Sequence, residues 1–153
     1  MKTIIWWTIY TILGIWLQRF IPGLDCFAPA LAGCLYLGLF KTTFWLTLIW
    51  IIIQEGVGGL AFGFTLLFYG GIVLFFLGSK LIFTQNTALF FIGASFYSAG
   101  LYFVTIQIMT SLQELNVPIY LIVQNSMLTL IFFPILWTIM ILSYSQWMID
   151  SNV

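Results

Sequence analysis

The chain predicts an all-α membrane helix bundle that forms a single integral membrane domain over residues 1–153. Hydrophobic residues make up 63% of the sequence and charged residues only 5%. The mean hydropathy is +1.15, far above that of soluble domains. The four basic and four acidic residues fall near the ends of long apolar runs. Because a charge at the bilayer centre costs about 3 kcal/mol or more, these residues mark where the chain meets water.

Composition also excludes several classes of function. The formal net charge is zero and histidine is absent. A chain without a basic face is not expected to bind nucleic acid. Its apolar composition makes membrane lipids the expected surroundings. Without histidine, bis-histidine haem ligation and histidine acid–base catalysis are unavailable. No phosphate loop, nucleophile elbow, zinc spacing or paired carboxylate is visible, so we expect no enzymatic activity, no metal and no cofactor.

The apolar runs predict about six transmembrane segments. A hydrocarbon core of about 30 Å needs roughly 20 helical residues. The first segment covers residues 3–21 and stops at Pro22 and Gly23, because proline lacks an N–H donor and glycine permits a turn. The other predicted segments cover residues 24–40, 42–54, 59–78, 87–111 and 117–147.

The third segment, residues 42–54, is too short to cross a membrane as a straight helix. Either it is re-entrant, or the third and fourth segments are parts of one helix broken at Gly56, Gly58 and Gly59. The short or broken segments are thus predicted near residues 42–60. Irregular backbone at membrane depth persists only where protein or water satisfies its amides, so other helices are expected to enclose this turn.

The basic residues predict the orientation. Alternating crossings put Lys2, Lys41 and Lys80 on one side and Arg19 on the other. Lysine and arginine are enriched on the cytoplasmic side of membrane proteins. The sequence therefore predicts that both termini are cytoplasmic.

The cluster of Gln54, Glu55 and Gly56 is the most suggestive local pattern. An ionisable residue beside a glycine-rich turn, between apolar stretches, is a candidate functional site in a membrane protein. The structural alternative is that Glu55 caps a helix end and pairs with Arg19 at the same depth. Both interpretations stay open from the residues alone.

Small residues at a spacing of four predict close helix contacts, because backbone approach and dispersion drive helix association in lipid. Gly59 and Gly63 have this spacing, as do Ala94 and Ser98. Such stripes serve packing inside the bundle or form a groove for the transmembrane helix of another protein.

Uncharged polar residues inside the last two segments predict interhelical hydrogen bonds of about 0.6 kcal/mol each. These residues are Gln107, Gln124 and Asn125. Pro134 lies within the last segment, where it is expected to kink the helix and free a carbonyl.

The cysteines and the central tryptophans are interpreted as structural. Cys26 and Cys34 would lie about 12 Å apart along one helix, too far for a disulfide, and are predicted to be packing residues. Trp16, Trp50 and Trp137 are central enough to line a pocket, but anchoring in lipid is the commoner role of such residues.

The order of these features resembles the MreD family of rod-shape-determining membrane proteins, over nearly the whole chain. The elements that carry the resemblance are Pro22 and Pro29, Lys41, the Gln54-Glu55-Gly56 cluster, Phe62-Gly63 with Leu66-Leu67, and Gln124 followed by Phe133-Pro134-Ile135-Leu136. The resemblance implies a non-catalytic inner-membrane scaffold of the cell-wall elongation machinery. Its implied partners are an MreC-like single-span protein and elongasome components, namely MreB, RodA and a penicillin-binding transpeptidase.

The alternative is a different class of protein, a substrate-binding membrane subunit of an energy-coupling-factor vitamin transporter. Such a subunit also has about six spans. It needs a pocket with several convergent polar groups. The sequence predicts few such groups in the outer half of the bundle, which favours the scaffold.

Overall fold

The computed structural model describes residues 2–57, 63–82, 88–114 and 116–150, and over these residues the chain is all-α. The described part contains six helices and no strand, so the predicted helical fold class is confirmed. The helices are α1 (Lys2–Phe20), α2 (Phe27–Tyr36), α3 (Phe40–Val57), α4 (Phe64–Ile82), α5 (Ala88–Leu112) and α6 (Ile119–Asp150).

Two of the described helices, α5 and α6, are long and apolar enough to cross a membrane. Their apolar stretches are Leu89–Leu112 and Ile119–Ile149, with mean hydropathies of 1.7 and 2.1. Within an apolar window of 18 residues in each helix, only 39% and 28% are buried inside the protein. Large apolar side chains are also exposed along α1, α3 and α4, for example Ile4, Ile52 and Leu74. Apolar surface of this extent is unfavourable in water.

The short helix α2 lies at the centre of the bundle. It packs against α3, α4 and α6, and every residue from 27 to 35 is buried. Alanine and glycine allow this close approach, since a Cβ atom on Gly33 would clash with the Met140 side chain and lie 3.2 Å from Trp137 Cδ1 of α6. The core is therefore built around α2.

The helices around α2 alternate in direction. Phe76, late in α4, packs against Phe90, early in α5, with ring centroids 5.5 Å apart. Tyr102, late in α5, accepts a hydrogen bond of 3.4 Å from Asn125, early in α6. Helices α4, α5 and α6 are thus antiparallel, each to the one before it.

The incomplete helix lies in the second apolar segment and not in the third. Helix α3 is continuous over 18 residues and includes Gly56, so the prediction of a short or broken segment is wrong for residues 42–57. Polar residues near a helix end do not stop the helix, because the backbone hydrogen bonds continue through them. Residues 58–62, including Gly59, lie outside the described part of the chain. The second segment, predicted over residues 24–40, is helical only from Phe27 to Tyr36.

Local hydrogen bonds set both ends of α2. At its start, Asp25 Oδ1 accepts hydrogen bonds from the backbone N–H groups of Phe27 (2.8 Å) and Ala28 (3.2 Å). This is the bonding of an N-terminal cap. At its end, Gly38 has φ +74°, and Leu39 N–H donates to the carbonyl of the residue five positions before it. This glycine-dependent arrangement is a Schellman motif, which terminates the helix.

Residues 21–26 run from the end of α1 into the interior. The Phe27 ring lies within 2.7 Å of the position that a Cβ atom on Gly14 would take. It also stacks on Trp50, with ring centroids 5.0 Å apart. Gly14 is six residues before the end of α1, which corresponds to about 9 Å along the helix. Helix α2 therefore begins well below the end of α1.

Helix α1 packs through large aromatic rings. Trp7 lies 5.9 Å from Trp50 of α3, and Trp6 lies 5.1 Å from Tyr144 of α6, measured between ring centroids. The Trp50 indole N–H donates a hydrogen bond of 3.0 Å to Thr11 Oγ1. A layer of side chains thus separates α1 from its neighbours.

Two of the central tryptophans are not in lipid-facing positions. Trp50 and Trp137 are completely buried, so the expectation of lipid anchoring is wrong for them, whereas Trp16 is exposed. Their burial results from packing against α2, which the sequence did not reveal. Cys26 and Cys34 are buried free thiols, as predicted.

Candidate functional site

A cavity of about 380 Å³, here called the polar pocket, lies at the end of the bundle where α1, α3 and α5 end. It is lined by Ile15, Gln18, Arg19, Gly23, Leu24, Asp25, Ile53, Gln54, Phe64, Thr65, Tyr102 and Asn125. The five long helices and the segment before α2 all contribute. Seven of these side chains carry polar or charged groups in a bundle that is otherwise apolar.

Asp25 is the central acceptor of the polar pocket. Besides the two backbone N–H groups at the start of α2, the Tyr69 hydroxyl donates to Asp25 Oδ1 at 3.2 Å. Gln54 lies within hydrogen-bonding reach of the same hydroxyl. Protein surrounds most of Asp25, and the part that stays accessible opens on the polar pocket. Three donors therefore converge on one carboxylate oxygen.

The sequence analysis did not single out Asp25, which falls at the start of the predicted second segment, residues 24–40. The missed signal was its position, because an aspartate immediately before an apolar helix with proline in the first turn is a typical helix start. Pro29 supplies that proline.

Two polar atoms at the polar pocket are buried without a hydrogen-bond partner among the described residues. They are Gln18 Nε2 and Thr65 Oγ1. The Thr65 side chain is only 2% exposed. An unsatisfied buried polar group costs about 1–3 kcal/mol, so a polar molecule that enters the polar pocket gains by supplying these partners.

Arg19 and Glu55 do not pair. Arg19 is exposed at the rim of the polar pocket, whereas Glu55 is not among the lining residues. Within the described part of the chain, Glu55 Oε1 has no hydrogen-bond partner. The predicted ion pair is therefore wrong. Consecutive helical residues are rotated by about 100°, so Gln54 points toward the polar pocket and Glu55 does not.

Gly23 brings the backbone close to the Asn125 amide. Gly23 has φ +88°, and a Cβ atom on it would clash with the Asn125 side chain. The Asn125 amide in turn donates to the Tyr102 hydroxyl. The prediction of an interhelical hydrogen bond is confirmed for Asn125. Gln107 and Gln124 are exposed, since they occupy other faces of their helices.

The small residues predicted for a partner groove are distributed differently from the expectation. Ala94 and Ser98 are buried, at 1% and 2% exposure, and Ser98 Oγ donates to the Ala94 carbonyl. They pack inside the bundle and line no surface groove. Gly63 has φ +87° and belongs to the turn before α4. Pro134 lies within α6, which continues through it.

The arrangement offers hydrogen bonds and two opposite charges, which is a binding chemistry. Within the described residues, no group of three or more cysteine, aspartate or glutamate side chains lies close enough to hold a metal ion. Comparison with known proteins adds no relative, since no family model, curated protein or solved structure matches the chain.

Proposed function

We propose that the chain is a multi-pass protein of the bacterial inner membrane that crosses the bilayer six times. The exposed apolar side chains on all five long helices support this placement. The second crossing combines residues 21–26 with α2. Ten helical residues give about 15 Å and six non-helical residues at most about 20 Å, which together are enough for a core of about 30 Å.

The helix directions support cytoplasmic termini. Lys2 and Lys41 lie at the starts of α1 and α3, and Lys80 lies near the end of α4. Helices α1 and α3 end at the polar pocket and α4 begins there, so these three residues share one end of the bundle. Arg19 and the polar pocket lie at the opposite end, which is then the outer one.

The function proposed for this protein is that of a non-catalytic scaffold in the cell-wall elongation machinery. The order of sequence features shared with the MreD family supports it. The partner is then a single transmembrane helix, as in an MreC-like protein, together with other elongasome components. The structural observation that carries this proposal is an apolar groove of about 510 Å³ between α1 and α3.

This groove, here called the α1–α3 groove, follows from the way α1 packs. Its lining residues are Thr3, Ile4, Trp7, Thr8, Thr11, Ile12, Thr42, Trp45, Leu46 and Ile49. They extend over about nine residues of α1, or about 14 Å. Threonine side chains are short enough for another helix to approach closely, while Trp45 and Ile12 at the rim are exposed.

A bulky side chain in the α1–α3 groove tests the scaffold. Thr8 is exposed, and its hydroxyl donates only to the Ile4 carbonyl. Thr8→Trp is therefore expected to leave the fold intact and to block an approaching helix. The matched control is Thr138→Trp on α6, where the exposed threonine makes the same bond to the carbonyl four residues earlier.

The measurement is co-purification of a tagged MreC-like protein from detergent extracts. Loss of the partner with Thr8→Trp and its retention with Thr138→Trp is the expected result. If both variants retain the partner as well as the wild type does, the α1–α3 groove is not the docking site.

A second candidate function is favoured by the polar pocket. The alternative class, a substrate-binding subunit of a vitamin transporter, requires convergent polar groups, and the polar pocket has them. A vitamin that co-purifies with the wild-type chain at a 1:1 ratio, together with no retained single-span protein, would replace the scaffold with this candidate.

A further inference from the structure

The lining of the polar pocket contains one cationic and one anionic side chain. Arg19 lies at the rim and Asp25 beside the start of α2. No described ion pair within 4 Å joins them. Each charge is therefore available to a group of opposite sign on one ligand.

Neighbouring groups extend each charge. Gln18 precedes Arg19 in α1, and its unpaired Nε2 donor is buried at the polar pocket. An anionic group beside Arg19 would accept from this amide as well. The three hydrogen bonds received by Asp25 all end on Oδ1, so none of them occupies Oδ2.

Thr65 gives an independent indication of a ligand. Thr65 is only 2% exposed and lines the polar pocket. Its Oγ1 has no hydrogen-bond partner among the described residues. A hydroxyl both donates and accepts, so it suits either polar end of a ligand.

We propose that the polar pocket binds a small zwitterion, with its primary ammonium group at Asp25 and its anionic group at Arg19 and Gln18. A lone anion would put its charge beside the Asp25 carboxylate, and a lone cation would put its charge beside Arg19. A zwitterion leaves neither side chain uncompensated. The volume of about 380 Å³ is near the lower end of ligand pockets, about 300–1,000 Å³, so the ligand is small.

The ligand has two possible sources with this shared chemistry. One is a free zwitterion such as an amino acid. The other is the ethanolamine phosphate head group of a membrane lipid, since the polar pocket lies at the end of apolar helices. The inference goes beyond the scaffold function and does not depend on it, because binding is measured on the purified chain alone.

The test is thermal unfolding of the full chain in detergent, followed by tryptophan fluorescence. The probes are alanine and O-phosphoethanolamine, and the controls are ethanolamine and inorganic phosphate, each of which carries only one of the two charges. A zwitterion is expected to raise the unfolding midpoint by at least about 2 °C, because a ligand that binds the folded state stabilises it. The single-charge compounds are expected to leave the midpoint unchanged.

Native mass spectrometry of the chain extracted from membranes distinguishes the two sources. One retained ethanolamine phospholipid identifies the head group. A shift with alanine and no retained lipid identifies a free zwitterion. Either result supports the proposal.

Two variants connect the binding to the polar pocket. Arg19→Gln changes an exposed side chain and is expected to weaken binding at least tenfold. Thr65→Val removes a hydroxyl without a partner, so the ligand-free midpoint should stay the same or rise while binding falls severalfold. The control is Thr43→Val, which changes another buried threonine, 5% exposed, at the other end of the bundle and should bind as the wild type does.

Three results would overturn the proposal. The first is that neither zwitterion shifts the midpoint and no ethanolamine lipid is retained. The second is that ethanolamine or phosphate alone stabilises the chain as much as the zwitterions do. The third is binding that survives unchanged in both Arg19→Gln and Thr65→Val.

Discussion

Helices α1 and α2 are joined by residues 21–26, but the protein holds them in opposite ways. Small residues let α2 lie directly against its neighbours, and hydrogen bonds close both of its ends. Helix α1 leaves many large apolar side chains exposed and contacts the bundle through Trp6, Trp7 and Tyr10.

This difference explains where surface grooves form. Close backbone packing buries residues 27–35 of α2. A layer of large rings holds α1 away from α3 and α6, and apolar grooves of about 510 and 300 Å³ remain on its two sides. The same chain thus contains a helix that tolerates no added volume and one that offers space to a partner.

The largest expected effect comes from adding volume to α2. Gly33→Leu forces a side chain against Met140 and Trp137, so we expect a loss of about 3 kcal/mol of unfolding free energy. The matched control is Gly100→Leu, in α5, where a Cβ atom would meet nothing within 4 Å. The control should be neutral or slightly stabilising, because glycine disfavours helices. Thermal unfolding in detergent compares the two, and equal midpoints would mean that α2 is not tightly packed.

The second prediction concerns the cap of α2. Asp25→Ala removes the acceptor of two backbone N–H groups and of the Tyr69 hydroxyl. The expected loss is about 2 kcal/mol, from the cap and from the donors left without a partner. Asp25→Asn keeps an amide oxygen at the cap and should lose less than half as much. A similar loss in both variants would indicate that the charge of Asp25, and not its capping, stabilises the fold.

The smallest effect is expected at the contact of α1 with α3. Thr11→Val removes the acceptor of the Trp50 indole N–H, which should cost about 1 kcal/mol. Thr8→Val is the control, because both threonines also donate to the carbonyl four residues earlier. The difference between the two midpoints isolates the Trp50 bond. No difference would mean that the aromatic rings alone hold α1 in place.

The sequence predicted α1, α4, α5 and α6 over most of their length, whereas it predicted a short or broken segment in place of α3. Runs of apolar residues form helices, and Pro22 and Gly23 end the first one. These are local effects that do not depend on how the helices pack. Arg19 at the end of α1 and Lys41 at the start of α3 followed from the same runs.

The sequence did not reveal the length of α2. Residues 24–40 are apolar apart from Asp25, and such a run is equally compatible with a full helix or with a non-helical entry followed by a short one. The Asp25 cap and the turn at Gly38 are local features that set the two ends of α2. The residues between them are buried by α3, α4 and α6, which is a long-range contact.

Only the tertiary structure decided which side chains form the polar pocket. Its side chains come from residues 15 to 125, each polar residue is isolated within its own apolar run, and no local pattern links Thr65 with Gln18 or Asn125. Glu55, the charged residue that stood out in the sequence, points elsewhere, whereas its neighbour Gln54 lines the polar pocket. The orientation of α3 in the bundle decides which of these two adjacent residues faces the polar pocket. That orientation depends on long-range packing, so a short sequence motif does not reveal it.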